Sequence, residues 1–165
     1  MGPTVAAATD ADVTAIASLR TAVAGHLTRE YGRGHWSSCP SEKSVLRGLR
    51  TSRVLVARDG SGIVGTLTLA TKKPWAIDTA YFTAVRKALY LLDMAVAPAL
   101  QRKGIGRLLL QEAIVVTRGW PSDAIRLDAY DAAAGAGAFY ATCGFREVGR
   151  VTYRKVPLIY FELLL

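Results

Sequence analysis

The stretch that most limits what this chain can fold into lies between residues 89 and 117. It begins as a nearly unbroken apolar run, residues 89–96, of the kind expected for a strand buried on both faces. Pro98 ends the run. A loop with two glycines, Gly104 and Gly106, then opens a helix that reaches about Thr117. Ile105, Leu109, Ala113 and Val116 recur on one face of that helix, as core packing requires. The first N–H groups of a helix have no intrahelical partner and carry partial positive charge. Glycine lacks Cβ, so an anion can approach the backbone closely. Arg102, Lys103 and Arg107 add cations. A strand, a glycine loop and a helix start in this order make a phosphate site.

Two familiar phosphate motifs do not fit. A P-loop needs Gly-Lys-Ser/Thr after its second glycine, and none stands here. A dinucleotide fingerprint needs a third glycine or an alanine at position 109, which is Leu109.

The rest of the chain organises around this unit. Residues 4–8 form a short strand candidate, and Thr9 and Asp10 offer caps for a helix over residues 11–24. Residues 25–40 are rich in Gly, His, Ser and aromatics and read as a loop. Ser41, Glu42 and Ser44 signal a second helix through Val45, Leu46 and Leu49. Residues 53–58 and 63–70 are strands joined by Asp59-Gly60-Ser61-Gly62, a hairpin signal. Residues 71–87 are irregular. Beyond the glycine helix come a strand (124–129), a short helix (about 135–143) and two strands (145–153 and 158–164). The order is β-α-α-β-β-β-α-β-α-β-β. The hairpin makes part of the sheet antiparallel, and residues 89–129 form a parallel β-α-β crossover. The fold class expected is α/β (α+β): one mixed sheet with helices on both faces.

A second motif lies downstream of the glycine loop, Ala138-Phe139-Tyr140-Ala141-Thr142-Cys143-Gly144-Phe145. The strand with Val96-x-Pro98 and Gln101-Arg102-x-Gly104-x-Gly106, followed by this tyrosine helix and its Gly-Phe turn, resembles the GNAT superfamily of acetyl-CoA-dependent N-acetyltransferases. The resemblance is strongest over residues 89–145, about a third of the chain. It implies a mostly antiparallel mixed sheet with a central parallel β-α-β unit, acetyl-CoA as co-substrate, and transfer of an acetyl group to a primary amine of a small molecule or peptide.

That chemistry needs a base to free the attacking amine of its proton and an acid for the departing thiolate. Tyr140 stands where the family places a tyrosine facing the CoA sulfur. Tyrosine titrates near ~10, so it is protonated at neutral pH and can donate. Asp128 is the candidate base. Alternation puts Ile125, Leu127 and Ala129 on one strand face and Arg126, Asp128 and Tyr130 on the other. Some family members carry a catalytic carboxylate twelve residues before the tyrosine. The bland alternative is a same-face Arg126–Asp128 ion pair. Asp93 is a second candidate, since an unpaired carboxylate in an apolar strand is costly; it must lie in a cleft, near a strand end, or be paired. The resemblance further implies cofactor contacts from the backbone of Met94, Ala95 and Val96, from Gln101, Arg102, Lys103, Gly104, Ile105, Gly106 and Arg107, and from Tyr140. One departure stands out: many members carry a cofactor-bonding Asn where this chain has Ala133, so that contact is missing or shifted, with Asp131 the nearest substitute. The family builds its acceptor pocket from the two irregular regions, which here hold Trp36, Trp75, Tyr81 and Phe82. For each of these singly, packing of a loop onto the core is the commoner use.

Bulk properties fit this reading. One domain spanning residues 1–165 is expected from the length, and a hydrophobic share of 51% supplies its core. No apolar run approaches the ~18–20 residues of a membrane helix, and the start lacks the features of a secretory signal. Cys39 and Cys143 read as free thiols of a cytoplasmic protein. No paired set of metal ligands is present, so no metal is expected. The net charge of +8 suits an anionic ligand. A CoA-binding regulatory module without turnover is the main alternative. A basic nucleic-acid-binding domain is a further one, but no nucleic-acid motif is present and the charge has a use at the CoA phosphates. A homodimer is left open.

Overall fold

The computed structural model describes residues 2–165. All seven strands join one sheet: β1 (Thr4–Ala7), β2 (Arg53–Asp59), β3 (Gly62–Ala70), β4 (Ala88–Val96), β5 (Ala124–Tyr130), β6 (Arg146–Tyr153) and β7 (Val156–Leu164), in the spatial order β1-β2-β3-β4-β5-β7-β6. Only the β4–β5 pair is parallel; the others are antiparallel. The helices are α1 (Val13–Tyr31), α2 (Glu42–Thr51), α3 (Ile105–Gly119) and α4 (Gly137–Thr142). The fold is the mixed, mostly antiparallel α/β sheet that the sequence led us to expect, with helices on both faces.

Alternation along β2 sorts the two faces. Val54 and Val56 meet Ile16, Ala17 and Val45 of α1 and α2. Leu55 and Ala57 point the other way, into the main core with Leu109, Leu110 and Ala113 of α3. The β2–β3 hairpin closes as its sequence signals: Asp59 pairs with Gly62, and the Asp59 carboxylate accepts the Ser61 N–H at 2.8 Å. At α2 the Ser41 hydroxyl accepts the Ser44 N–H at 3.1 Å.

One boundary differs by more than two residues. The first helix does not stop at Ala24 but continues to Tyr31. Gly25 inside a helix costs about 1 kcal/mol, which the flanking turns tolerate. Thr28 donates its hydroxyl to the Ala24 carbonyl and also bonds Ser37 of the following loop. The stop is Gly32, at φ 81, whose N–H closes on Thr28 O. The expected loop therefore shrinks, and it begins at the point where Trp36 can reach the sheet.

The segment between β3 and β4 is irregular, as expected, but not loose. Ile77 and Phe82 are buried with Tyr90 and Tyr160, so this segment roofs the sheet on the face that also carries α1 and α2. Among the described residues, no helix is long and apolar enough to cross a membrane.

Candidate active site

β4 and β5 form a ladder only at Ala88–Ala124, Leu89–Ile125 and Tyr90–Arg126. Beyond Tyr90 the two strands part, and the edge of β4 that faces β5 has no ladder partner over residues 91–96. The opposite edge stays paired to β3 but bulges: Leu92 faces Thr68 and Ala95 faces Thr66, so Asp93 and Met94 together oppose Leu67. Asp93 takes φ 54, in the left-handed region. Burial changes at the same place. Leu89–Leu91 are buried, Asp93 is exposed, and Met94 and Val96 are partly exposed. The expectation of a strand buried on both faces holds for its first half only. The second half is apolar in sequence, yet it borders the opening where the strands diverge.

The chain then enters the glycine loop. Ala97 N–H bonds Val64 O at 2.9 Å, a single turn follows over Pro98–Leu100, and the Gln101 side-chain amide donates to Val96 O at 3.2 Å. Gln101 thus braces the loop against the end of β4. Arg102 and Gly104 both lie in the left-handed region, at φ 63 and 88. The first intrahelical bond of α3 is Leu108 N–H to Gly104 O, 3.0 Å. The N–H groups of Ile105, Gly106 and Arg107 precede it and take no acceptor among the described residues. The two glycines serve different ends. Gly104 has open space around its missing Cβ and is needed for its dihedral. At Gly106 a Cβ would come within 3.0 Å of the Phe139 ring and 3.3 Å of Met94 Cε, so this glycine lets α3 close onto α4 and β4. Arg102, Lys103 and Arg107 are exposed, and none enters an ion pair among the described residues. Ile105 is buried in the core, so only its backbone faces the loop.

Tyr140, on α4, is buried against Phe139, Phe145 and Phe161, with ring centroids 5.4, 5.7 and 6.1 Å away. Its hydroxyl points at Met94 Sδ, 3.7 Å away, at the bulge of β4. Burial pushes the hydroxyl's pKa well above that of an ordinary tyrosine, and the neighbouring Asp128 and Cys143 push in the same direction. Asp128 is partly buried on β5, directly across from Tyr160 on β7. Burial raises its pKa. No cation lies within ion-pair distance of it among the described residues. The Arg126–Asp128 pair does not form. Arg126 instead donates to Tyr90 Oη at 3.2 Å and Thr83 O at 2.8 Å, and lies over the Phe82 ring at 5.1 Å. Asp93, the other carboxylate considered, is taken: Arg20 of α1 holds it at 3.0 Å, beside a small cavity of about 30 Å³ shared with Ile16 and Val45.

Of the acceptor-side residues, Trp36 meets Tyr130 edge-on at 5.9 Å, and Tyr130 donates its hydroxyl to His35 O at 3.3 Å. Tyr81 packs edge-on against Tyr160 at 5.5 Å and lies over Gly149 of β6. Tyr130 and Tyr160 flank Asp128, and burial followed by the Asp128 charge raises the pKa of Tyr130. Phe82 is buried against Tyr160 at 5.2 Å, and Trp75 stands 82% exposed. Three of the four aromatics therefore touch the residues around Asp128, Trp36 and Tyr81 at the rim and Phe82 as a buried ring, and Trp75 does not. Asp131 turns toward Arg150 of β6, 3.4 Å away, rather than toward the glycine loop. Tyr160 and Arg20 were not singled out in the sequence. Cross-strand register and helix docking bring them in, and neither leaves a local pattern.

A family model for the acetyltransferase (GNAT) domain matches residues 50–147, which is more than half of the chain. The chain belongs to the GNAT acetyltransferase family. Its fold is similar to that of the ribosomal-protein-alanine N-acetyltransferase of Brucella melitensis, with a TM-score of 0.76, 21% identity, and 98% of this chain and 99% of that one covered. It is also similar to a putative acetyltransferase of Salmonella typhimurium solved with its cofactor acetyl-CoA (TM-score 0.72, 20% identity, coverage 100% and 95%). The ribosomal-protein-S18-alanine N-acetyltransferase of Escherichia coli gives a TM-score of 0.71 at 20% identity, with coverage of 98% and 93%. A sequence comparison with curated proteins finds no match.

Proposed function

We propose that the chain transfers an acetyl group from acetyl-CoA to a primary amine of a small molecule or peptide by direct attack, with Tyr140 as general acid and Asp128, directly or through water, as base. The observation that carries this reading is what meets where β4 parts from β5: a carboxylate without a cation, a buried phenol, and a helix start with free N–H groups.

The residues present fit CoA. The unpaired N–H groups of Ile105, Gly106 and Arg107, with the cations of Arg102, Lys103 and Arg107, suit its pyrophosphate. Gln101 and Gly104 shape the loop, and the free β4 edge at Met94, Ala95 and Val96 suits an extended amide-bearing arm and a thioester carbonyl. Acetyl-CoA supplies an activated acyl group. Asp128 holds the proton taken from the amine nitrogen, and its raised pKa brings it closer to neutrality, where a carboxylate base works better. Tyr140 keeps its proton at working pH and gives it to the leaving sulfur. Trp36 and Tyr81, with Tyr130 and Tyr160, wall the amine side; aromatic faces beside a carboxylate favour a cation awaiting deprotonation. Trp75 and Phe82 contribute at most by shaping the surrounding loop. Asp93, held by Arg20, positions the bulge rather than serving as base. Two free thiols, Cys39 and Cys143, agree with a reducing cytoplasm.

The experiment is a thiol-release screen with acetyl-CoA over amines, amino acids, aminoglycoside-type antibiotics and peptides. Peptides beginning with alanine belong in it, because two of the structurally similar proteins are named for that acceptor. At least one amine should give release that depends on Tyr140. No release above water hydrolysis with any class would leave the binding role alone.

A further inference from the structure

At the opposite end of β4 from the glycine loop, the structure holds a cavity of about 470 Å³ that the acetyl-transfer reading does not use. Its walls include Arg86, Lys87, Tyr90, Trp120, Pro121 and Arg126. Arg126 is the unusual member. It is 6% exposed, yet no carboxylate lies within ion-pair distance of it among the described residues. Two of its five N–H donors are used, on Tyr90 Oη and Thr83 O. Its Nε–H has no partner among the described residues. The carboxylate across the ladder, Glu162, is spent elsewhere: it takes Arg146 at 2.6 Å and the Thr83 N–H at 3.0 Å. Burial alone would raise the Glu162 pKa, but the hydrogen bonds from Thr83 and Arg146 outweigh it and hold the carboxyl ionised. Arg146 therefore takes the one buried carboxylate nearby, and Arg126 is left without one. Asp123, which accepts the Lys87 N–H at 2.8 Å, offsets one of the surface charges, and Arg86 and Lys87 still leave the cavity positive. Trp120 adds an aromatic wall, with Arg53 stacked over its ring at 4.3 Å.

A buried guanidinium with unused donors is costly unless an anion completes it. An open cavity with two further cations and an indole gives that anion somewhere to sit. We propose that this cavity is a second anion site, taking the carboxylate or phosphate group of a small molecule whose apolar body lies against Trp120. It lies roughly 25 Å along β4 from the glycine loop, so it is separate from the CoA phosphates. Binding there reaches β5 two residues from Asp128, which makes the ligand a candidate regulator of that strand.

The test is a titration of ¹⁵N-labelled protein with inorganic phosphate and, separately, with benzoate. Saturating CoA occupies the glycine loop throughout, and sodium chloride at matched ionic strength is the control. The buried Arg126 Nε–H and the Trp120 indole N–H should shift saturably with at least one of the two anions; the tighter one tells phosphate from carboxylate ligands. Arg86→Ala and Lys87→Ala are surface changes that should leave the melting temperature in place and weaken that anion about tenfold each. If neither resonance moves with either anion at tens of millimolar, or if the shifts survive undiminished in both variants, the site does not exist.

Discussion

At the scale of single residues, the base role proposed for Asp128 carries a stability consequence that can be measured. An aspartate in an unfolded chain titrates near ~3.9, and burial raises the value in the folded protein. Between the two values the folded state binds a proton that the unfolded state does not, so stability falls as pH rises through that window. Above both, the protein carries the full cost of a buried charge. Asp128→Asn should therefore melt higher than wild type near neutral pH, and the gap should close as pH falls below the ordinary carboxylate range. The same change should lower turnover and remove the acid limb of the rate profile. A variant that melts no higher at neutral pH would mean the carboxylate has a partner. Tyr140→Phe keeps the ring and its packing, so stability should hold while kcat drops by about 10²-fold, the low end for a lost general acid. Because burial raises the tyrosine's pKa, the wild-type rate should show no alkaline fall owed to it up to pH ~10. A Phe variant at wild-type rate would return Tyr140 to the core. Both positions are candidates that the sequence alone offers, Asp128 from strand alternation together with the family's spacing before the tyrosine, and Tyr140 from its motif. Their partners are not legible there. The Arg126–Asp128 pair was a fair local expectation, but residues 71–87 fold over β5 and bring Thr83 and Phe82 to Arg126. Asp93 was recognised as needing company, and its company comes from α1, far away in sequence.

At the scale of elements, α3 supplies core residues along one face and starts at the glycine loop. Leu109 is fully buried, and Leu109→Ala should cost about 2–5 kcal/mol, read as a lower urea midpoint. The two loop glycines should separate in their effects. Gly104→Ala meets open space and costs about 1–2 kcal/mol of left-handed strain. Gly106→Val drives a side chain into Phe139 and Met94 and should lose more stability as well as CoA binding. Equal losses at the two positions, measured by denaturation and by CoA titration, would contradict this division. The order of elements was readable because each carries its own period or cap. Two features were not. The extra turns of α1 depended on Gly32 rather than Gly25 being the stop, and glycine alone does not say which of two positions will be left-handed. The parting of β4 from β5 leaves no pattern in the residues, because apolar residues continue along β4 past the last ladder pair, and only the family resemblance implies a free strand edge there.

At the scale of the whole molecule, the sheet places its one parallel pair near the middle and opens it on the side where α3 begins, so a positive helix end, a free strand edge and a phenol converge on Met94. A net charge of +8 draws anions toward such a site, and ligand binding there should stabilise the fold by about 2.7 kcal/mol at a hundredfold excess over Kd. The family is set by the chain's match to its domain model, but the site's use is tested only by the ligand itself. Isothermal titration calorimetry with acetyl-CoA is the most direct measurement. The account predicts saturable one-site binding, weakened by raised salt and lost in Gly106→Val. No heat of binding for acetyl-CoA or CoA at millimolar concentration, with the protein folded, would contradict it.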